Sequence, residues 1–229
     1  MPGAEALAVL AAAALLLAAW RDPSRRAWAL LAISGLVLYL VLRALPQMAA
    51  GDGVPERGWN WSGHLLALAG MLGLAALLIR RAGMAPQQLG FAWPASLPAA
   101  VVVCTAALLL SFPLHVVTAG RSEPIPAEAW LFVALMPGLV EEVAFRGVLL
   151  AAAERAAPSS RQVAGVRVSL GAALLTAAFV GLHEPGVGLL ASVLPGALLF
   201  VWLRQRTGSV LAPIVAHNLW NLTVLAAHL

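Results

Sequence analysis

The chain has 229 residues, of which 62% are hydrophobic and only 10% charged, with a mean hydropathy of +0.90. So few charged side chains cannot cover a soluble domain of this size, whereas a surface in contact with lipid needs almost none. The formal charge of +4 comes from 14 basic residues, all arginine, set singly or in pairs between apolar runs, and not in the cluster with interleaved aromatics that a nucleic-acid groove requires.

A spanning helix takes about 20 apolar residues. Apolar segments of that order run near 4–20, 27–45, 62–79, 97–118, 128–153, 168–184, 187–203 and 209–228. The expected fold is therefore all-α: a polytopic transmembrane helix bundle of about eight spans, with residues 1–229 forming a single integral-membrane domain. The first segment lacks a basic region before it and is followed at once by "RDPSRR" and another apolar run, so it reads as a retained span and not a cleaved signal. Proline and glycine fall mostly between the runs, as in "RAGMAPQQLGFAWP" and "TAGRSEPIPAE", and mark loops. The single Cys104 lies within an apolar run and reads as a small buried hydrophobe.

Arginine counts in short loops orient such a bundle. The first, third, fifth and seventh connections carry ten: Arg21, Arg25, Arg26, Arg80, Arg81, Arg155, Arg161, Arg167, Arg204 and Arg206. The opposite side carries Arg43, Arg57 and Arg121. The first set is expected in the cytoplasm and both termini outside it, as in a multi-pass protein of a prokaryotic plasma membrane.

Against this layout the fifth segment is anomalous. "MPGLVEEVAFRGVLL" places Glu141, Glu142 and Arg146 well inside a span, where each charge costs at least ~2.5 kcal/mol on insertion scales. Glu142 and Arg146 are four apart with the glutamate first, the favourable order for a helical ion pair. Glu141 has no partner in its own helix and points about 100° away from that pair, into the bundle, where a desolvated carboxylate suits a general base. A structural polar knot between helices explains the same three residues about as well.

Further polar residues shift that balance. "FVGLHEP" ends the sixth segment with Phe179 and His183 four apart, and "APIVAHNLWNL" carries His217 and Asn221 four apart in the eighth. A spacing of four stacks two side chains on one helix face, so His217 and Asn221 address one point. Two histidines, an asparagine and an unpaired glutamate on three apolar helices supply a base, a water-orienting imidazole and oxyanion donors, the needs of amide hydrolysis.

The ordered set "EEVAFR", "FVGLH" and "HNLWN", with "FRG" after the first motif and "RTGSVLAPIVAHNLWN" through the last, resembles the CAAX protease and bacteriocin-processing family of intramembrane glutamic endopeptidases. The resemblance covers about residues 130 to 222, within a motif-bearing core of about 128–228; the first four segments carry no matching motif. It implies that Glu141 takes a proton from the attacking water, His183 helps hold that water, and His217 and Asn221 donate to the tetrahedral oxyanion. Glu142 and Arg146 would fix the helix and tune Glu141, with Phe179 as a further supporting residue. The implied substrates are membrane-anchored proteins or peptides: a sorting tail, a prenylated C-terminus or a bacteriocin-type peptide.

Glu141, His183 and His217 also make a plausible zinc set with an open position for water. The paired histidines around a glutamate of a zinc-peptidase helix are absent, however, which favours a metal-free route. A channel or transporter would also bury ionisable residues, but the halves show no internal repeat and no matching broken helices. A non-catalytic scaffold that binds a partner helix is the other alternative, and the intact set of Glu141, His183, His217 and Asn221 argues against it. His64, His115 and His228 fall near segment ends and read as interfacial, Glu184 reads as a loop residue, and Trp202 and Trp220 lie deeper, where packing or a substrate path would place them.

Overall fold

A computed structural model of the chain describes residues 3–50, 59–96, 125–183 and 193–227, with 98, 101, 102, 104, 105, 108 and 109. The helices are α1 (Gly3–Ala19), α2 (Pro23–Ala50), α3 (Trp61–Ala82), α4 (Ala127–Glu142), α5 (Leu150–Ala156), α6 (Leu170–Gly181), α7 (Leu194–Thr207) and α8 (Leu211–Ala226). A π-helical segment, Val143–Leu149, joins α4 to α5 without a break, so 127–156 form one continuous rod. Among the described residues the bundle is helical apart from one short hairpin, β1 (Ser160–Val163) against β2 (Val166–Ser169).

Local chemistry sets several boundaries. Asp22 Oδ1 accepts from the backbone N–H of Ser24 at 2.9 Å and opens α2, and Asn60 Oδ1 accepts from Gly63 at 3.0 Å and opens α3. Gly83 and Gly208, at φ 64° and 70°, close α3 and α7 in the left-handed region that only glycine enters without strain.

The first, second, third, fifth and eighth expected segments coincide with helices to within a few residues at each end, the seventh is helical from Leu194 with 187–192 outside the described residues, and the fourth, 97–118, falls mostly outside them. The sixth is corrected at its start. Residues 160–169 form the hairpin, and α6 begins at Leu170, where Ser169 Oγ accepts from Ala172 N at 2.9 Å. The turn holds Ala164 at φ 47° and Gly165 at φ 76°, a two-residue connection with both central residues at positive φ. Alanine is a poor occupant of that region, so "VAGV" carries little turn signal.

By length and composition, two described helices can cross a bilayer alone, Pro23–Ala49 and Trp61–Ala82, while the apolar stretches Ala6–Ala19, Leu170–Gly181 and Leu211–Ala226 are shorter. Polarity is inverted relative to a soluble fold. Leu30, Val37, Val41, Leu65, Leu72 and Leu77 face outward from α2 and α3, whereas Glu141, Glu142, Arg146, His64 and His217 are buried. A wide apolar exterior around a charged interior suits lipid as the surrounding solvent.

α2 packs on α3 and α5, α1 on α6, and α8 on both α4 and α7. The main core cluster joins α1 to α6, and a second one gathers Phe200, Leu203, Ala212, Ala216 and Trp220, with Cys104 half-buried against it.

Candidate active site

One turn before the glutamates, α4 contains Pro137, which cannot donate to the helix ladder. The next residue, Gly138, turns its N–H to Asn218 Oδ1 of α8 at 2.8 Å. A Cβ at Gly138 would lie 2.3 Å from Asn218 Oδ1 and 2.7 Å from the Ile214 carbonyl. The glycine therefore lets α8 approach α4 backbone to side chain, and the neighbour of Asn218 is His217.

That approach joins the two motifs. His217 Nδ1 lies 2.7 Å from Glu142 Oε1, and Arg146 Nη1 donates to the same oxygen at 3.0 Å. The sequence-derived Glu142–Arg146 pair is present and buried at both ends, although the arginine stands in the π segment. Arg146 Nη2 also donates to the Ala197 carbonyl of α7 at 3.3 Å, and its guanidinium sits 4.2 Å from the ring centroid of Phe179. Such π segments shift helix hydrogen bonds to i→i+5 and recur at functional sites. Here Arg204 reinforces the segment, Nε donating to the Arg146 carbonyl at 2.9 Å and Nη2 to the Gln88 carbonyl at 3.2 Å.

Glu141 and Glu142 point in different directions, as adjacent α-helical positions must. Glu141 lines a cavity of about 230 Å³, which His183, His217 and Asn221 also line together with Phe179, Phe200 and Trp220. The four residues that the spacing singles out thus converge on one space from α4, the end of α6, and α8. His183 Nδ1 is 2.9 Å from the Phe179 carbonyl. That carbonyl can only accept, so Nδ1 carries the hydrogen and Nε2 is the free ring nitrogen. The His217 ring stacks on Phe200 at 4.6 Å with an 18° tilt.

Three features lie beyond the sequence reading. Glu141, without a partner in its own helix, has one from α2: Arg43 Nη1 donates to its Oε1 at 3.3 Å. His217, grouped by spacing with Asn221, is tied first to Glu142. Asn218, one residue from a named histidine, fastens the two helices and gives no sequence signal beyond its place in the motif. His64 is corrected from interfacial to buried, its Nδ1 2.7 Å from the Asn60 carbonyl. Of the two deep tryptophans, Trp220 lines the cavity, while Trp202 donates to the Ala164 carbonyl of the hairpin at 3.0 Å. His115, Glu184 and His228 lie outside the described residues.

Glu141, His183 and His217 all line the cavity; among the described residues no three His, Cys, Asp or Glu side chains form a group that could hold a metal ion.

No curated protein and no solved structure matches the chain. Residues 124–223, which carry α4, the π segment, α5 to α7 and nearly all of α8, match the family described as Type II CAAX prenyl endopeptidase Rce1-like. The glutamate–arginine rod, the histidine ending α6 and the histidine–asparagine face of α8 all fall within that match, so this part of the chain is similar to that family of prenyl endopeptidases.

Proposed function

We propose that the protein is an intramembrane glutamic endopeptidase that hydrolyses a peptide bond in a membrane-associated substrate. The observation that carries the reading is the convergence of Glu141, His183, His217 and Asn221 on one cavity inside a lipid-facing bundle. In this reading Glu141 is the general base. Its carboxylate takes a proton from a water whose other hydrogen is accepted by His183 Nε2, the nitrogen left free by the Phe179 carbonyl.

Attack of that water on the scissile carbonyl generates an oxyanion. Asn221 donates to it through its amide N–H, and His217 through Nε2. Because His217 Nδ1 already points at Glu142, donation from both ring nitrogens requires the imidazolium, for which Glu142 is the counter-ion. Arg146 in turn balances Glu142. Collapse of the intermediate passes the proton from Glu141 to the leaving amine, and no covalent enzyme intermediate forms. No step is assigned to a metal.

The family is one of prenyl endopeptidases, which supports a prenylated C-terminal peptide as the first substrate to try, ahead of an exported sorting tail or a bacteriocin-type peptide. The test is cleavage of such peptides by the purified chain in liposomes, wild type against Glu141→Ala and His217→Ala, with and without a chelator. Loss of cleavage in both variants with indifference to chelator is expected. Variants that fold and cleave like wild type would leave the charges as a polar knot and favour the scaffold reading.

A further inference from the structure

We infer that Arg43, on α2 and outside the segment that matches the family, is a positioning residue for Glu141: it grips one carboxylate oxygen and so presents the other to the cavity. This rests on the peptidase reading above and adds a residue to it. Arg43 Nη1 lies 3.3 Å from Glu141 Oε1 and 3.2 Å from the Tyr39 hydroxyl one turn earlier. Arg43 is not among the residues lining the cavity, so it acts through Glu141 and not on the substrate.

The position is built from behind. Asn60 Nδ2 donates to the Arg43 carbonyl at 2.8 Å, and the same side chain caps α3 through Gly63 N. A Cβ on Gly63 would stand 2.1 Å from the Arg43 carbonyl. The start of α3 is therefore seated against α2 at the residue that carries the guanidinium, and neither helix can shift without moving it.

The charge arrangement points the same way. The side chain of Glu141 is 7% exposed and that of Arg43 41% exposed, so the carboxylate is fixed inside the bundle while its cation stands at the boundary. Arg146, the nearest arginine in sequence, is committed to Glu142. Among the described residues Arg43 is the one arginine paired with Glu141. A fully exposed pair contributes little because water competes for both partners; here one partner, the Glu141 carboxylate, is buried. The contact is a single Nη1–Oε1 bond, a point-charge arrangement that an ammonium can reproduce.

The test uses the full chain in liposomes with an internally quenched peptide ending in a farnesylated Cys-aliphatic-aliphatic-X sequence, comparing wild type, Arg43→Gln and Arg43→Lys. The expected result for Arg43→Gln is a kcat lowered roughly tenfold or more with KM changed less than about twofold, because ground-state binding is untouched. Arg43→Lys should recover most of that loss. A lysine variant as slow as the glutamine one, or an Arg43→Gln variant with wild-type kcat, overturns the inference. A double-mutant cycle on thermal stability, Arg43→Gln with Glu141→Gln, reads the pairing without any substrate. Coupled effects are expected, and additive ones overturn the inference whether or not the peptide is cleaved. A wild type that cleaves nothing while the cycle stays coupled defeats the peptidase reading alone.

Discussion

His217 Nδ1 and Glu142 Oε1 meet at 2.7 Å across two helices whose residues are 75 apart in the chain. The contact ties the last motif to the first and makes Glu142, not Glu141, the anchor of the histidine. Arg146 shares the same oxygen at 3.0 Å, so one buried carboxylate holds two donors.

Removing that carboxylate strands a buried guanidinium. Glu142→Ala should destabilise the protein by about 3–5 kcal/mol, the range for breaking a buried pair from one side. Thermal unfolding in detergent should show a large drop. Arg146→Met together with Glu142→Leu should recover part of it, because the buried guanidinium is removed along with its partner. A Glu142→Ala protein that melts like wild type would refute the buried pair.

Gly138 is the contact point of α4 and α8, with no room for a Cβ beside Asn218 and the Ile214 carbonyl. Gly138→Ala should therefore push α8 away, costing about 1–3 kcal/mol as an overpacked site does. Activity should fall further than stability, because His217 and Asn221 ride on the displaced helix. Asn218→Ala removes the acceptor of Gly138 N–H without adding volume, and should be milder in both assays.

Asn221 lines the cavity and is half-buried there. As an oxyanion donor it matters only when charge develops, so Asn221→Ala should lower kcat by about 100- to 1,000-fold with little change in KM. Steady-state kinetics on the prenylated peptide decide this. A variant affected in KM alone would instead make Asn221 a substrate-binding residue.

Orientation has its own test. Arg155 stacks on Trp28 at 5.1 Å, and Gln205 bonds Glu154 at 2.6 Å. The end of α5, the start of α2 and the end of α7 therefore share one face of the bundle with the arginine-bearing hairpin. If that face is cytoplasmic, a cysteine placed at Ala164 should react with a membrane-impermeant maleimide in broken cells and not in intact ones. Labelling of intact cells would reverse the topology.

Much of this protein was readable from residue order alone. Composition put it in lipid, apolar runs located the helices, and the spacing of four paired Glu142 with Arg146 and set His217 beside Asn221 on one face. These are short-range properties, governed by the helical repeat and by the cost of a charge in hydrocarbon. Helical periodicity also separated the directions of Glu141 and Glu142, because both are still α-helical where they stand.

Contacts between distant elements had no such signal. Nothing in "YLVLRAL" marks Arg43 as the partner of a glutamate 98 positions later, since an arginine near the end of an apolar run normally reaches for the interface. The hairpin at 160–169 hides behind a weak turn dipeptide, and Asn218 looks like any polar residue on α8. Which carboxylate receives which cation depends on how closely two backbones approach, and here Gly63 and Gly138 set that distance by having no side chain. Residue order carries the solvent, the helices and the chemical groups; their pairing is a property of the folded bundle, because helix separation is fixed by packing across it and not by neighbours along the chain.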